Sequence, residues 1–138
     1  MTDALRKRLR REESGFTLIE LLVVIIILGI LLAIAVPSYL GFKQRATDSA
    51  LKSDVRAAVP SIEAFYGDNN TYVGAGNAAN GTPPGIKSYD QGISPNVSVA
   101  AATASTYCLA ATSGGTSWSI AGPGPDFATG WKNNATCT

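Results

Sequence analysis

The sequence predicts an α+β protein. One long N-terminal helix, hydrophobic in its first half and amphipathic in its second, packs on a small antiparallel sheet of three or four strands. Three observations predict this class. Residues 21–36 form an unbroken apolar run. Leu51, Val55, Ala58, Ile62 and Phe65 recur at helical spacings of four and three. Residues 97–121 then hold three short strand-like segments, the last two joined by Ser113-Gly114-Gly115-Thr116.

Composition narrows the chemistry. The 138 residues include two Cys, one Met and no His. There is thus no Cys–His pair, and no Ser sits in a nucleophile-elbow context. No glycine-rich loop carries a phosphate-binding Lys, and Gly122-Pro123-Gly124 reads as rigid punctuation. The sequence therefore predicts a protein that is not an enzyme and needs no cofactor and no metal. The formal charge of +1 averages two unlike parts. Residues 1–15 hold Arg6, Lys7, Arg8, Arg10 and Arg11 against Asp3, Glu12 and Glu13, whereas the remainder is close to neutral. A nucleic-acid partner is not expected from so neutral a body.

Taken in order, residues 1–15 read as a short charged leader. Its cations precede the apolar run, so the positive-inside bias keeps the N-terminus in the cytoplasm and sends the C-terminal part across. Residues 16–40 are long enough to cross a hydrocarbon core, which needs about 20 residues. A secretory signal peptide is the alternative, with Ala33-Ile34-Ala35 as an A-x-A-like site that would leave a chain starting at Val36. The helical pattern runs on past that point. Glu20 is also out of place at the head of such a run, where a carboxylate costs on the order of 2.5–3.5 kcal/mol. No Lys or Arg comes after it until Lys43. Its partner must come from another chain or be created by processing.

The string Gly15-Phe16-Thr17-Leu18-Ile19-Glu20, between a basic leader and an aliphatic run, resembles the N-terminal signature of type IV pilins and of the pseudopilins of type II secretion. The resemblance is close over residues 14–40, looser through the following helix and only architectural beyond it. It implies the pilin fold. It also implies a membrane-embedded prepilin peptidase and methyltransferase that cuts between Gly15 and Phe16 and N-methylates Phe16. Cutting there removes the leader cations and frees an α-amino group, which ordinarily titrates at about 7.7–8.0 and is charged at neutral pH. That amine is the missing cation for Glu20, and in the family the pair is assigned between neighbouring subunits of a filament. A charge that meets its partner only on assembly acts as a specificity device.

Gly29 and Pro37 weaken the helix locally, since Pro removes a backbone hydrogen bond and Gly costs about 1 kcal/mol relative to Ala. By resemblance, they let the segment loosen when subunits leave the lipid and pack. From residue 41 the chain is the exported head. The amphipathic stripe should be covered by the C-terminal half of the chain. Pro60 should bend the helix or mark an irregular turn, and Gly67 should act as its C-cap. Residues 67–95 read as loop, with one short strand near residues 86–89. Strands come next at 97–99, 107–112 and 117–121, with Trp118 and Ile120 on one face and Ser117 and Ser119 on the other. The tail, 122–138, has little periodicity.

Cys108 and Cys137 can close that tail. A disulfide there would stabilise by about 3–4 kcal/mol in the chain-entropy model, and it resembles the C-terminal disulfide loop of many pilins. Free thiols and a metal pair are the alternatives, the latter poor without His. Asp68, Asp90 and Asp126 are scattered, with no calcium-ligand spacing. Major pseudopilins usually show an acidic calcium site near the C-terminus, so the tail leans toward a pilin. The resulting expectation is a type IV pilus subunit, held in the inner membrane before assembly and in a surface filament afterwards. Its expected partners are the peptidase, membrane lipid, an assembly platform and copies of itself. A pseudopilin of a secretion or DNA-uptake system is the alternative within the family. A single-pass membrane protein with a ligand-binding head is the alternative outside it.

Overall fold

The computed structural model describes residues 15–76 and 85–138. The leader and the loop positions Asn77, Asn80, Gly81, Pro83 and Pro84 lie outside the described residues, Gly15 excepted. The chain divides between Gly41 and Phe42 into two units, and one helix, α1 (Leu18–Asn69), supplies residues to both.

In the first unit α1 buries nothing, and every side chain from Phe16 to Leu40 is exposed. An 18-residue window of the helix reaches a mean hydropathy of 3.2, long and apolar enough to cross a membrane by length and composition. A helix apolar all round needs a cover of lipid or of other helices. Helical backbone runs unbroken through Gly29 and Pro37.

In the second unit, the predicted stripe is the core. Leu51, Val55, Ala58, Ile62 and Phe65 are each at most 1 % exposed. Pro60 does not end the helix or open an irregular turn, and α1 stays helical through it. Its neighbours Ala58, Ser61 and Ile62 are buried, so packing on both sides outweighs one missing backbone bond. The helix also outlasts Gly67. The left-handed residue that ends it is Asn70, with φ of 54°, whose N–H donates to the Tyr66 carbonyl at 2.7 Å. Asn is among the non-glycine residues that adopt this conformation most readily, and the Asn69 amide donates to the Phe65 carbonyl at 2.9 Å.

Residues 86–89 form no strand. Ile86–Ser88 is a single 3-10 turn, closed by Ser88 N–H to the Gly85 carbonyl at 3.0 Å. No strand of the sheet pairs with this segment, and the turn places Ile86 fully in the core. The sheet has three antiparallel strands in the order β1 (Val97–Ala102), β2 (Tyr107–Ser113), β3 (Thr116–Gly122). Each extends beyond its predicted bounds by one to three residues, and β1 carries a bulge between Val99 and Ala101. Gly114 and Gly115, with φ of 59° and 80°, are the two-residue turn that matches the strand twist. They set the register Leu109↔Ile120 and Ala111↔Trp118. Ile120 enters the core and Trp118 packs against its edge. Ser119, on the opposite face, is nevertheless fully buried, because the tail covers it. Its N–H and carbonyl pair with Lys132 at 2.9 Å each.

Gly122 ends β3 opposite Tyr107. A methyl group at Gly122 would sit 2.0 Å from the Tyr107 ring. The ring cannot yield, since it is buried, packed edge-on to Tyr72 at 4.9 Å and bonded through its hydroxyl to Glu63. Gly122→Ala is therefore expected to destabilise the head by about 3 kcal/mol, from overpacking plus a broken hydrogen bond. Urea denaturation of the variant checks this, and a midpoint equal to wild type would contradict it.

Candidate functional site: the helix entry and the tail clamp

Two places concentrate chemistry, one in each unit. The first is the entry to α1. Gly15, Phe16 and Thr17 are non-helical and exposed, and Phe16 is 83 % exposed. Thr17 is the N-cap. Its Oγ1 accepts from the Glu20 N–H at 3.3 Å, while Glu20 Oε2 accepts from the Thr17 N–H and hydroxyl at 2.8 Å each. This reciprocal arrangement is a capping box, which satisfies two orphan donors of the first turn. Glu20 is therefore not a lone charge. It has one engaged oxygen, and Oε1 has no partner among the described residues. Phe16, Ile19, Glu20, Val23 and Val24 line one open hollow on the helix surface. The predicted pair Phe16 and Glu20 thus share a surface, and Gly29 and Pro37 are exposed farther along the same helix.

Gly15 has open space around its Cα, and a methyl group placed there would meet nothing within 4 Å. No packing inside this chain requires glycine at that position.

The second place is the tail. Cys108 in β2 is joined to Cys137, with Cα atoms 6.0 Å apart and 29 residues between them in sequence. The disulfide fills the role expected of the two cysteines and removes both alternatives. Ser119 is the tail's second anchor. Its hydroxyl donates to Asn134 Oδ1 and accepts from the Cys137 N–H, both at 3.1 Å. Aromatic rings of the tail and sheet then lie against helical cations. Lys52 Nζ is 3.7 Å from the Trp118 ring centre, and the Arg56 guanidinium is 5.3 Å from Phe127 and 5.5 Å from Trp131. Asp48 accepts from the Trp118 indole at 3.0 Å and from Gln44 at 3.1 Å.

The scattered acids are each turned to local work. Asp90 caps the Gly92 N–H at 2.7 Å, and Asp68 takes the Tyr89 hydroxyl at 2.8 Å. Asp126 closes its own turn with Ala128 and Thr129. Those donors, the Thr129 hydroxyl first, hold its carboxyl below the usual range. Among the described residues no three His, Cys, Asp or Glu side chains are grouped to hold a metal.

A polar centre lies within the head. Glu63 accepts from the Tyr72 hydroxyl at 2.8 Å and from the Tyr107 hydroxyl at 2.9 Å. Burial, then the hydrogen bond to Glu63, pushes Tyr72 from about 10 up to about 12, and Tyr107 rises by the same causes. A raised folded pKa contributes stability that is present below the unfolded value near 10. It is lost as pH climbs through the folded value. The head is expected to lose stability between pH 10 and about 12, with phenolate absorbance appearing as it unfolds. In Glu63→Gln the phenols should ionise at lower pH, since the charge is gone while burial remains. Unchanged titration would contradict the role given to Glu63.

Thr17 was within reach of sequence reasoning, because T-x-x-E before an apolar run is a cap signature. The Glu63 centre and the Lys52–Trp118 contact join residues far apart in the chain and leave no local signal.

The chain is similar to known proteins. The profile described as the prokaryotic N-terminal methylation motif matches residues 10–36. The type IV wide pilus major component PilA4 of Thermus thermophilus is 40 % identical over 114 residues, 82 % of this chain and 84 % of that one. The type II secretion system core protein G of Aeromonas hydrophila is 43 % identical over 63 residues, 46 % of this chain and 44 % of that one. The type IV major pilin protein PilA of Myxococcus xanthus is 37 % identical over 65 residues, 47 % of this chain and 30 % of that one. With the last two, the chain shares less than half of their length.

Proposed function

The chain belongs to the type IV pilin and pseudopilin family, and from that premise we propose that it is a structural subunit of a type IV pilus. Residues 1–15 are the cytoplasmic leader, residues 16–40 the membrane and filament-core segment, and residues 41–138 the exported head. A prepilin peptidase cuts after Gly15 and methylates Phe16. Residues 15–17 suit this reading, being exposed and non-helical. Gly15 meets no constraint from its own chain, so the demand for a small residue there falls to the enzyme's cleft. The subunit is a substrate and not itself an enzyme.

After cleavage the new amine lies on the residue before the N-cap. Glu20 Oε2 is committed to Thr17, which leaves Oε1 for the amine of a neighbouring copy. Assembly buries the exposed helix of residues 16–40 against other copies, guided by an assembly platform in the inner membrane. Repeated head-to-tail contacts that do not close give a helical filament. Gly29 and Pro37 allow the segment to loosen as it leaves the lipid. The observation that carries the pilus reading is the extent of the match to the wide-pilus component, 82 % of this chain. The match to core protein G favours a pseudopilin as the second reading.

The test is the intact mass and N-terminal sequence of the mature protein from its native host, followed by electron microscopy of sheared surface material. A chain starting at N-methylated Phe16 within long surface filaments is expected. A chain starting at Val36 would overturn the family-type processing, and processed protein without surface filaments would favour the pseudopilin.

A further inference from the structure

Two cations of the head stand side by side on α1. Lys52 and Arg56 are i,i+4 neighbours held over Trp118, Trp131 and Phe127. Among the described residues, neither has a carboxylate within ion-pair distance. Two acids share their face of the helix: Asp48 is occupied by the Trp118 indole and Gln44, and Glu63 by the Tyr72 and Tyr107 hydroxyls. The tail aromatics fix the direction of both side chains, so the two charges form a preset ridge and not a pair of loose surface cations.

The opposite border of the same helix carries the complementary charge. Asp54 is two positions from Arg56, about 200° around the axis, and has no hydrogen-bond or ion-pair partner among the described residues. Asp68 falls about four turns farther on, on the same side as Asp54. It is exposed, with only the Tyr89 hydroxyl on it. The surface between these borders, Ser53, Ala57, Pro60 and Ala64, is exposed and carries nothing longer than a proline ring. No bulky side chain keeps a second helix from approaching.

We propose that the Lys52–Arg56 ridge of one copy engages the Asp54–Asp68 border of the next copy, where the short Ala57 beside that border leaves room for the approach. The occupant is a second copy because the two surfaces are complementary in charge, lie on one helix and point away from each other. A cationic border and an acidic border on opposite sides make a heterologous, repeating contact and not a closed dimer. The inference rests on the filament reading and supplies it with a contact between neighbouring globular domains, outside the apolar segment.

The test uses the full chain in its native host. Arg56→Glu and Asp54→Arg are each expected to lower sheared filament mass at least tenfold, and the double variant to restore it to within about twofold. Melting of the detergent-solubilised subunits reports whether each variant is folded. In a separate strain, Ala57→Cys should label with a maleimide in detergent and be protected at least tenfold in filaments, while Ser105→Cys labels in both. Filaments at wild-type mass in either single variant would overturn the inference, as would a double variant that fails to recover, or Ala57→Cys labelling equally in both states. A wild-type chain that builds no filament overturns the filament reading itself, and the contact with it.

Discussion

Cells expressing Glu20→Val are expected to insert and process the protein normally and to lose at least nine-tenths of their filaments. The variant removes two things at once, the capping box with Thr17 and the carboxylate offered to a neighbouring amine. Glu20→Gln separates them. A glutamine fills the third helical position of a capping box nearly as well as a glutamate, yet it carries no charge. If the ion pair directs assembly, Glu20→Gln should lose filaments almost as severely as Glu20→Val. If the cap is what matters, Glu20→Gln should assemble like wild type, and Thr17→Val should be the damaging change. Losing an N-cap costs about 1 kcal/mol of helix stability. That is small for a helix of 52 residues, so the cap alone should not decide assembly. The carboxylate must otherwise sit unpaired in an apolar surrounding, where its penalty is several kcal/mol per subunit. Filament mass at the wild-type level in Glu20→Gln would exclude the amine–carboxylate pairing.

How much could be read from the chain depended on how local each signal is. The stripe from Leu51 to Phe65 was legible because burial imposes a helical period on the residues themselves. Gly114-Gly115 was legible because a two-residue hairpin turn needs positive φ at both positions, and both have it. Residues 86–89 were misleading, since Ile followed by Lys, Ser and Tyr suits a short strand as well as a turn. Only the cavity that Ile86 fills decides between them. Gly67 and Asn70 compete as helix stops for the same reason, and the contacts of Phe65 and Tyr66 with the chain just beyond them favour the later one. The processing segment was recognisable as a string of letters, but its cap was hidden by reading Glu20 only as a charge. Ser119 is the opposite case. Alternation alone places it on the solvent side, and nothing in an aperiodic tail announces that the tail will return to cover it.

That return is where the second large effect is expected. The tail, from Pro123 onward, is mostly exposed, and its anchors are the disulfide, the Ser119–Lys132 backbone pair, the Ser119 hydroxyl bonds to Asn134 and Cys137, and the rings of Phe127 and Trp131 against Arg56 and Lys52. Each cation–ring contact contributes about 0.5–1 kcal/mol at an exposed site, and each backbone bond about 1 kcal/mol. Ordering a residue costs about 1–2 kcal/mol of backbone entropy, so these contacts alone do not hold so long a segment. The disulfide shifts the balance by restricting the unfolded chain. For a separation of 29 residues the loop-closure relation gives about 3.5 kcal/mol. Replacing Cys108 and Cys137 together by Ser should therefore release the tail while the helix–sheet core stays folded. Two measurements would register it. Iodide quenching of tryptophan fluorescence in native buffer should increase as Trp131 leaves Arg56 and Trp118 loses its cover. The urea midpoint should fall by an amount equivalent to about 3.5 kcal/mol at most, by the same relation. A variant with unchanged quenching and a midpoint within about 0.5 kcal/mol of wild type, the size of an ordinary surface substitution, would mean that the aromatic and backbone contacts suffice. The entropy of the tail would then have been overestimated.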